Sequence, residues 1–139
     1  MTTDTTNSTA APKSPKMRTI TLTGRPPVRI NEEKWGLIAR ASWDSYGSGD
    51  YGRHYQAKQQ GELDECHLRV RENEAETKWI VYGTYSEGWH SDHSGLSAAG
   101  ELIDDRDNIP ATIERVGQAL GAPAQLIADC ISDLPAEEI

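Results

Sequence analysis

The chain has 139 residues, and its 22 aspartate and glutamate residues outnumber its 14 lysine and arginine residues, which gives a formal net charge of −8. Residues 101–139 hold nine of these acids and only two of the bases, so most of the excess negative charge lies there. Contacts with phosphate groups need lysine and arginine, so the composition argues against direct binding of nucleic acid and favours a protein partner with a basic surface.

A disordered tail is predicted in front of a single domain. Residues 1–16 are mainly Thr, Ser, Asn, Ala, Pro and Lys, without an aromatic or branched aliphatic side chain, and such a segment buries too little apolar surface to offset its chain entropy. The tail also lacks the apolar run of a secretory signal, and no part of the chain approaches the roughly 18 consecutive apolar residues of a membrane span. We therefore expect one cytoplasmic domain over residues 17–139, without a membrane partner.

A strand and a helix are predicted at the start of this domain. Residues 18–23 alternate between apolar and polar side chains, which is typical of a half-buried strand. Asn31 is a favourable helix N-cap, and the spacing of Trp35 and Ile38 fits one face of a helix. The sequence therefore predicts a helix over residues 32–43.

A β-hairpin is predicted in the middle of the chain. Residues 63–71 and 77–85 both have strand character, and the polar turn that joins them indicates antiparallel pairing. Residues 44–62 and 86–95 are predicted to be polar loops. Residues 96–103 are ambiguous but compatible with an edge strand.

Two helices are predicted at the end of the chain. The first has an apolar stripe at helical spacing, with Asn108 before it as a cap and Gly121 after it as a stop. Pro123 stands where the second helix begins, and Pro135 stands where it ends. The order of elements predicts an α+β fold, with a small antiparallel sheet of three to four strands, one helix after the first strand and two C-terminal helices on one face of the sheet.

Cysteines and histidines are the candidates for chemistry. Cys66 and Cys130 are predicted to be reduced, buried thiols. One loop holds three side chains that can bind zinc or a similar metal: His90, Asp92 and His93. Cys66 or His67 is a candidate for a further ligand, although the spacing matches no established metal motif. A small metal-binding domain or metal-dependent enzyme centred on this loop is therefore the alternative function.

The candidate residues for binding a partner are acidic or aromatic. No nucleophile elbow and no phosphate-binding glycine loop occurs in the sequence, so we predict no catalytic residue and no cofactor. Tyrosine provides a large contact area at low entropy cost, and the acidic residues suit a basic partner. The candidates are Glu101, Asp104, Asp105, Asp107, Tyr46, Tyr51 and Tyr55. These features favour a non-enzymatic protein-binding module.

A DNA-binding dimer with a helix-turn-helix is a weaker alternative, because the two terminal helices are acidic and Arg115 is their one base.

The two ends of the domain resemble a family of small uncharacterised proteins that are carried on bacterial integrative and conjugative elements and other mobile DNA. The resemblance spans residues 18–139 and is carried by the stretch LTGRPPVRI at 22–30, by Trp35, by Ile38-Ala39, and by the ending CISDLPAEEI at 130–139. Accessory genes of such elements often encode small acidic inhibitors of host defence, and anti-CRISPR proteins are among them. The resemblance therefore implies that the partner is a host defence complex that handles nucleic acid.

Overall fold

A computed structural model describes residues 16–44, 64–87 and 95–136. These ranges form an α+β fold, as predicted, with six strands, two α-helices and a short 3-10 helix at Arg106–Asn108. The strands are β1 Met17–Leu22, β2 Arg25–Asn31, β3 Trp35–Asp44, β4 Glu65–Asn73, β5 Trp79–Glu87 and β6 Gly95–Ile103. The helices are α1 Ile109–Leu120 and α2 Ala124–Ser132.

The described strands form two antiparallel sheets. Strands β3 to β6 make a four-stranded sheet in chain order, and β1 pairs with β2 in a separate two-stranded sheet. The predicted hairpin is confirmed, since β4 pairs with β5 from Glu65 opposite Ser86 to Glu72 opposite Trp79. Residues 96–103, which are ambiguous in the sequence, form most of β6, and β6 lies at the end of the strand order.

The helix predicted over residues 32–43 is wrong, because this segment forms a turn and most of β3. The Asn31 side chain does accept a hydrogen bond from the Glu33 amide at 2.9 Å, in the way that a capping residue does. The Lys34 amide, however, donates to the Asn31 carbonyl oxygen at 2.9 Å, and the chain then reverses from β2 into β3. The local hydrogen bonds of Asn31 therefore stabilise a turn between two strands.

A β-bulge explains why β3 has helical spacing in the sequence. The pairing of β3 with β4 shifts its register between Leu37 and Ala39. As a result Ile38 and Ala39, although adjacent, both pack into the core beneath the helices, whereas Trp35 packs into the core on the other face of the sheet. In a regular strand, adjacent side chains point to opposite faces. The bulge therefore allows apolar residues at positions 35, 38 and 39, which is the spacing of one helical face, to be distributed over the two faces of a sheet.

The two helices pack against one face of the four-stranded sheet. The predicted apolar stripe of α1 is buried: Ile113, Val116 and Leu120. Gly121 ends this helix in the left-handed conformation with φ of 76°, and Pro123 directly precedes α2. The Asn108 side chain makes no capping hydrogen bond. Instead, the Asp105 carboxylate accepts a hydrogen bond from the Asp107 amide and caps the 3-10 helix.

The hairpin of β1 and β2 covers part of the opposite sheet face. Gly100 permits this contact, because a Cβ atom at this position would lie 2.4 Å from the carbonyl oxygen of Thr21. The Thr23 amide donates to the Gly100 carbonyl oxygen at 2.8 Å, and the Gly100 amide donates to the Thr23 hydroxyl at 3.2 Å. The two-stranded sheet is thus hydrogen-bonded to β6.

Arg71 is a buried polar link on this hairpin side. Its guanidinium donates to the Tyr82 hydroxyl at 2.8 Å, to the Trp35 carbonyl oxygen at 2.8 Å and to the Glu32 carboxylate at 3.1 Å. Arg18 of β1 donates a hydrogen bond to the same carboxylate. This hydrogen bond, aided by the charges of both arginines, lowers the pKa of Glu32. One carboxylate therefore connects β1 to the four-stranded sheet.

Both cysteines are free and buried in the core beneath the helices, as predicted. Burial raises the pKa of Cys66 and of Cys130 to about 12. Because the thiolate is the nucleophile, we expect neither thiol of the folded protein to react with iodoacetamide at about pH 8, and both to react in denaturant. Mass spectrometry of the alkylated chain measures this. Equal rates of alkylation in the folded and unfolded states would contradict the packing of both thiols.

Candidate functional site

An open groove of about 400 Å³ lies at one end of the four-stranded sheet, between β3 and the ends of the two helices. Its walls are mainly apolar, and charged side chains form its rim. The lining residues are Ile38, Glu72, Arg106, Asp107, Ile109, Pro110, Leu134 and Pro135. A concave and mostly apolar surface with a few polar groups is the common form of a binding site.

Three distant segments build the apolar walls. Ile38 comes from the bulge of β3, Ile109 and Pro110 come from the first turn of α1, and Leu134 and Pro135 follow α2. Proline is tolerated in the first turn of a helix because the amides of that turn have no partner within the helix. The walls therefore exist only when the sheet and both helices are assembled.

The charged rim is organised around Glu72. A single oxygen of its carboxylate accepts two hydrogen bonds. One comes from the indole of Trp79 at 2.9 Å, and the other comes from the guanidinium of Arg106 at 2.8 Å. Arg106 also lies 5.6 Å from the centroid of the Trp79 ring, within the range of a cation–π contact, and 3.7 Å from the Glu76 carboxylate. The charge of Arg106 is therefore compensated on the protein itself.

The four acidic residues predicted to bind a partner have different surroundings. Arg115 donates two hydrogen bonds to Glu101, at 3.0 and 2.8 Å, and Asp105 caps the 3-10 helix. Asp104 and Asp107 are exposed and have no ion-pair partner among the residues that the structure describes. Asp107 is the predicted residue that lines the groove, so it is the acid best placed to contact a ligand there.

The tyrosines and the metal-binding residues that the sequence predicts lie outside the described residues: Tyr46, Tyr51, Tyr55, His90, Asp92 and His93. The strands that flank both segments end side by side, because Asp44 pairs with Glu65, Glu65 with Ser86, and Ser86 with Leu96. Both segments are therefore attached to one end of the four-stranded sheet. The groove lies at the other end, beside Glu72.

Cys66 and His67 cannot both contribute to the predicted metal site, because they are adjacent in β4 and point to opposite faces of the sheet. Cys66 is fully buried beneath the helices. On the other face, Nδ1 of His67 lies 2.9 Å from the Ser42 hydroxyl, and Nε2 lies 3.5 Å from the Glu65 carboxylate. Within the described ranges, no three or more His, Cys, Asp or Glu side chains are grouped so that they could hold a metal ion.

Comparison with protein-family models, with curated proteins and with solved structures finds no match for this chain. In the part of the chain that the structure describes, neither helix has the length and apolar character needed to cross a membrane.

Reasoning from the sequence identifies Asp107 but misses the apolar walls and the pairing of Glu72 with Arg106. The walls join segments that are far apart in the chain, and Ile38 reaches them only because of a bulge that the sequence does not mark. One weak signal is present. An aliphatic residue precedes proline at the start of α1 and again after α2, as Ile109-Pro110 and Leu134-Pro135, which places apolar surface where regular helical packing stops.

Proposed function

We propose that this protein is a non-enzymatic module that binds a segment of a partner protein in the groove between β3 and the helix ends. The supporting observation is that apolar walls adjoin Asp107, an exposed acid without an ion-pair partner among the described residues. An apolar side chain of the partner would displace water from Ile38 and Leu134. A neighbouring lysine or arginine would form a charge-assisted hydrogen bond with Asp107.

The charges around the groove favour a basic segment. Residues 104–107 contain three acids and one base, and the base, Arg106, is already held by Glu72 and Glu76. A negative field of this kind attracts basic partners, and it raises the rate of association more than the final affinity. An acidic segment would meet uncompensated repulsion at the same place.

The fuller proposal is that the partner is a host defence complex that handles nucleic acid, and that this protein inhibits it as an accessory of a mobile element. The resemblance of the two ends of the domain to proteins of mobile elements supports this role, as does the net charge of −8. A complex that binds nucleic acid carries basic surfaces, and an acidic protein can occupy them. On this proposal the protein acts in the cytoplasm, through the domain at residues 17–139, and binds no nucleic acid itself.

A random peptide library displayed on phage tests the groove directly. We expect the selected peptides to carry an aliphatic or aromatic residue next to lysine or arginine. When such a peptide is added to methyl-labelled protein, the NMR signals of Ile38, Ile109 and Leu134 should shift first, because their methyl groups lie in the apolar walls. Shifts confined to another surface would contradict the proposed site.

Neutralising the acidic turn should weaken binding of the selected peptides. The triple variant Asp104→Asn, Asp105→Asn, Asp107→Asn should raise the Kd about tenfold at low salt, because each exposed charge pair contributes a few tenths of a kcal/mol or more. The variant should also flatten the dependence of Kd on salt concentration, since fewer charges remain to be screened. Asparagine at position 105 keeps a cap for the 3-10 helix, so the fold is maintained.

The matched control for this variant changes the net charge equally, away from the groove. It replaces three acids that do not line the groove: Glu33→Gln, Glu114→Gln and Asp129→Asn. Isothermal titration calorimetry should find nearly the wild-type Kd for the control at moderate salt. If both triple variants bind the peptides equally well, net charge rather than the acidic turn is responsible, and the proposed docking geometry is wrong.

A further inference from the structure

On the sheet face that lacks helices, none of the described elements covers the area along β3 and β4. Cross-strand pairing places Arg40 opposite Arg69, and Ser42 opposite His67, on this area. These residues face away from the helices, because Leu68, which lies between them in β4, belongs to the core beneath the helices. The hairpin of β1 and β2 covers the neighbouring part of the same face.

Arg40 and Arg69 form a pair of like charges. Residues directly opposite each other in an antiparallel pair have Cβ atoms about 4.5–5.5 Å apart, and like charges on such a pair of residues are destabilising. Among the described residues, neither guanidinium has a hydrogen bond or an ion pair. Arg18 and Arg71 on the same face, by contrast, share the carboxylate of Glu32. No described acid therefore pairs with either guanidinium, and the two acids farther along the same face, Asp44 and Glu65, have other partners.

A cavity of about 160 Å³ lies between β1 and the sheet, and Arg69 is the member of the pair that lines it. Its lining includes Arg18 and Arg69 and the threonine Thr84, and none of its described lining residues is acidic. The volume is several times the roughly 30 Å³ that one water molecule occupies in the liquid, so a tetrahedral oxyanion fits. Guanidinium groups and hydroxyls are the donors that phosphate oxygens prefer.

We propose that Arg69 in the cavity and its cross-strand partner Arg40 bind the phosphate group of a small anionic ligand, with Thr84 as a further donor and Arg18 at the edge of the cavity. A bound dianion between the two guanidinium groups replaces their repulsion by two attractions. Binding thereby accounts for a like-charge pair that costs stability in the empty protein. The ligand is free phosphate or a phosphate monoester, because the cavity has space for one such group.

Titration of the full chain with inorganic phosphate and with adenosine monophosphate tests this site. The side-chain Nε–Hε NMR signals of Arg40 and Arg69 should shift and saturate, and the unfolding temperature should rise more than in sodium chloride of equal ionic strength. Tighter binding of the nucleotide assigns the site to phosphate monoesters, and equal binding assigns it to free phosphate. Equal effects of chloride would mean general screening and would overturn the proposal.

Single substitutions separate binding from a structural role. Arg40→Gln and Arg69→Gln should each weaken phosphate binding about tenfold, because each removes a charge-assisted hydrogen bond. Arg29→Gln is the matched control, since Arg29 is exposed on β2 and does not line the cavity. Without phosphate, Arg69→Gln should unfold at a higher temperature than the wild type, because the repulsion is gone.

The phosphate site and the groove are tested independently. The triple variant at Asp104, Asp105 and Asp107 should keep the phosphate affinity of the wild type, so a failure of peptide binding leaves this proposal unaffected. A folded Arg69→Gln protein that binds phosphate as the wild type does would overturn it. A lower unfolding temperature of Arg69→Gln in the absence of phosphate would also count against it, since that result would mark Arg69 as a stabilising structural residue.

Discussion

Arg71→Ala should lower the free energy of unfolding by about 3 kcal/mol, because it breaks a buried, charged hydrogen-bond network. Arg71 is only 8% exposed, yet its guanidinium serves three acceptors on three different parts of the chain. Truncation would leave the Tyr82 hydroxyl, the Trp35 carbonyl oxygen and the Glu32 carboxylate without these donors, where water has little access. Urea unfolding followed by tryptophan fluorescence measures the loss.

Two further variants separate the charge of Arg71 from its packing. Arg71→Met keeps an unbranched side chain without the charge, so it should recover only the packing part of the loss. The Tyr82 hydroxyl, the Trp35 carbonyl oxygen and the Glu32 carboxylate still lack their donor in this variant. Glu32→Gln keeps the shape of the acceptor but removes its charge, and it should destabilise the protein because Arg18 and Arg71 lose their shared counter-ion. Wild-type stability in Arg71→Ala would contradict a structural role of the network.

The same network predicts how stability changes in acid. Because the pKa of Glu32 is lowered in the folded protein, its carboxylate becomes protonated at a higher pH in the unfolded chain than in the folded one. The stabilisation by Glu32 is therefore fully present at neutral pH and is lost as the pH falls below the usual glutamate range, through the lowered pKa of the folded state. In Glu32→Gln this contribution is absent, so its stability should depend less steeply on pH in acid. Unfolding curves at several acidic pH values compare the two proteins.

The sequence predicts the elements whose signals are local. Gly121 ends α1 in a conformation that favours glycine, and Pro123 marks the start of α2, so the boundaries of both helices are close to those expected. Strand β4 follows from alternating apolar residues, because it buries every second side chain against the helices. Strand β5 follows from a continuous apolar run, because it is buried on both faces of the sheet. These elements need no knowledge of distant contacts.

Elements that depend on distant contacts are missed. Strand β2 contains Pro26 and Pro27, and proline is tolerated there because β2 pairs only with β1 among the described strands. Segment 32–43 has a capping residue and helical spacing, but its bulge and its pairing with β4 override them. The groove could not be predicted either, because its walls come from three segments that are far apart in the chain. Asp107 could be proposed from the sequence because a cluster of acidic residues is visible within a few positions of the chain.

Gly83→Ala should destabilise the protein by about 3 kcal/mol, because an added methyl group has no space at the centre of the sheet. A Cβ atom on Gly83 would lie 2.3 Å from the carbonyl oxygen of His67, 2.8 Å from a methyl group of Leu120 and 2.9 Å from a methyl group of Leu68. The leucine side chains can rotate, but the backbone oxygen belongs to the paired strand β4 and moves only if the sheet distorts. Calorimetric unfolding measures the effect.

Gly36→Ala is the matched control, because it adds the same methyl group to the same sheet. A Cβ atom on Gly36 meets no described atom within 4 Å, so this variant should be neutral or more stable by a few tenths of a kcal/mol through the lower entropy of its unfolded chain. The two variants share their chemistry and differ in the space available, so their difference in stability reports how closely α1 and β4 pack around Gly83. Equal stability of Gly83→Ala and Gly36→Ala would show that this packing yields to a methyl group, and the assembly of β4, β5 and α1 described here would be wrong.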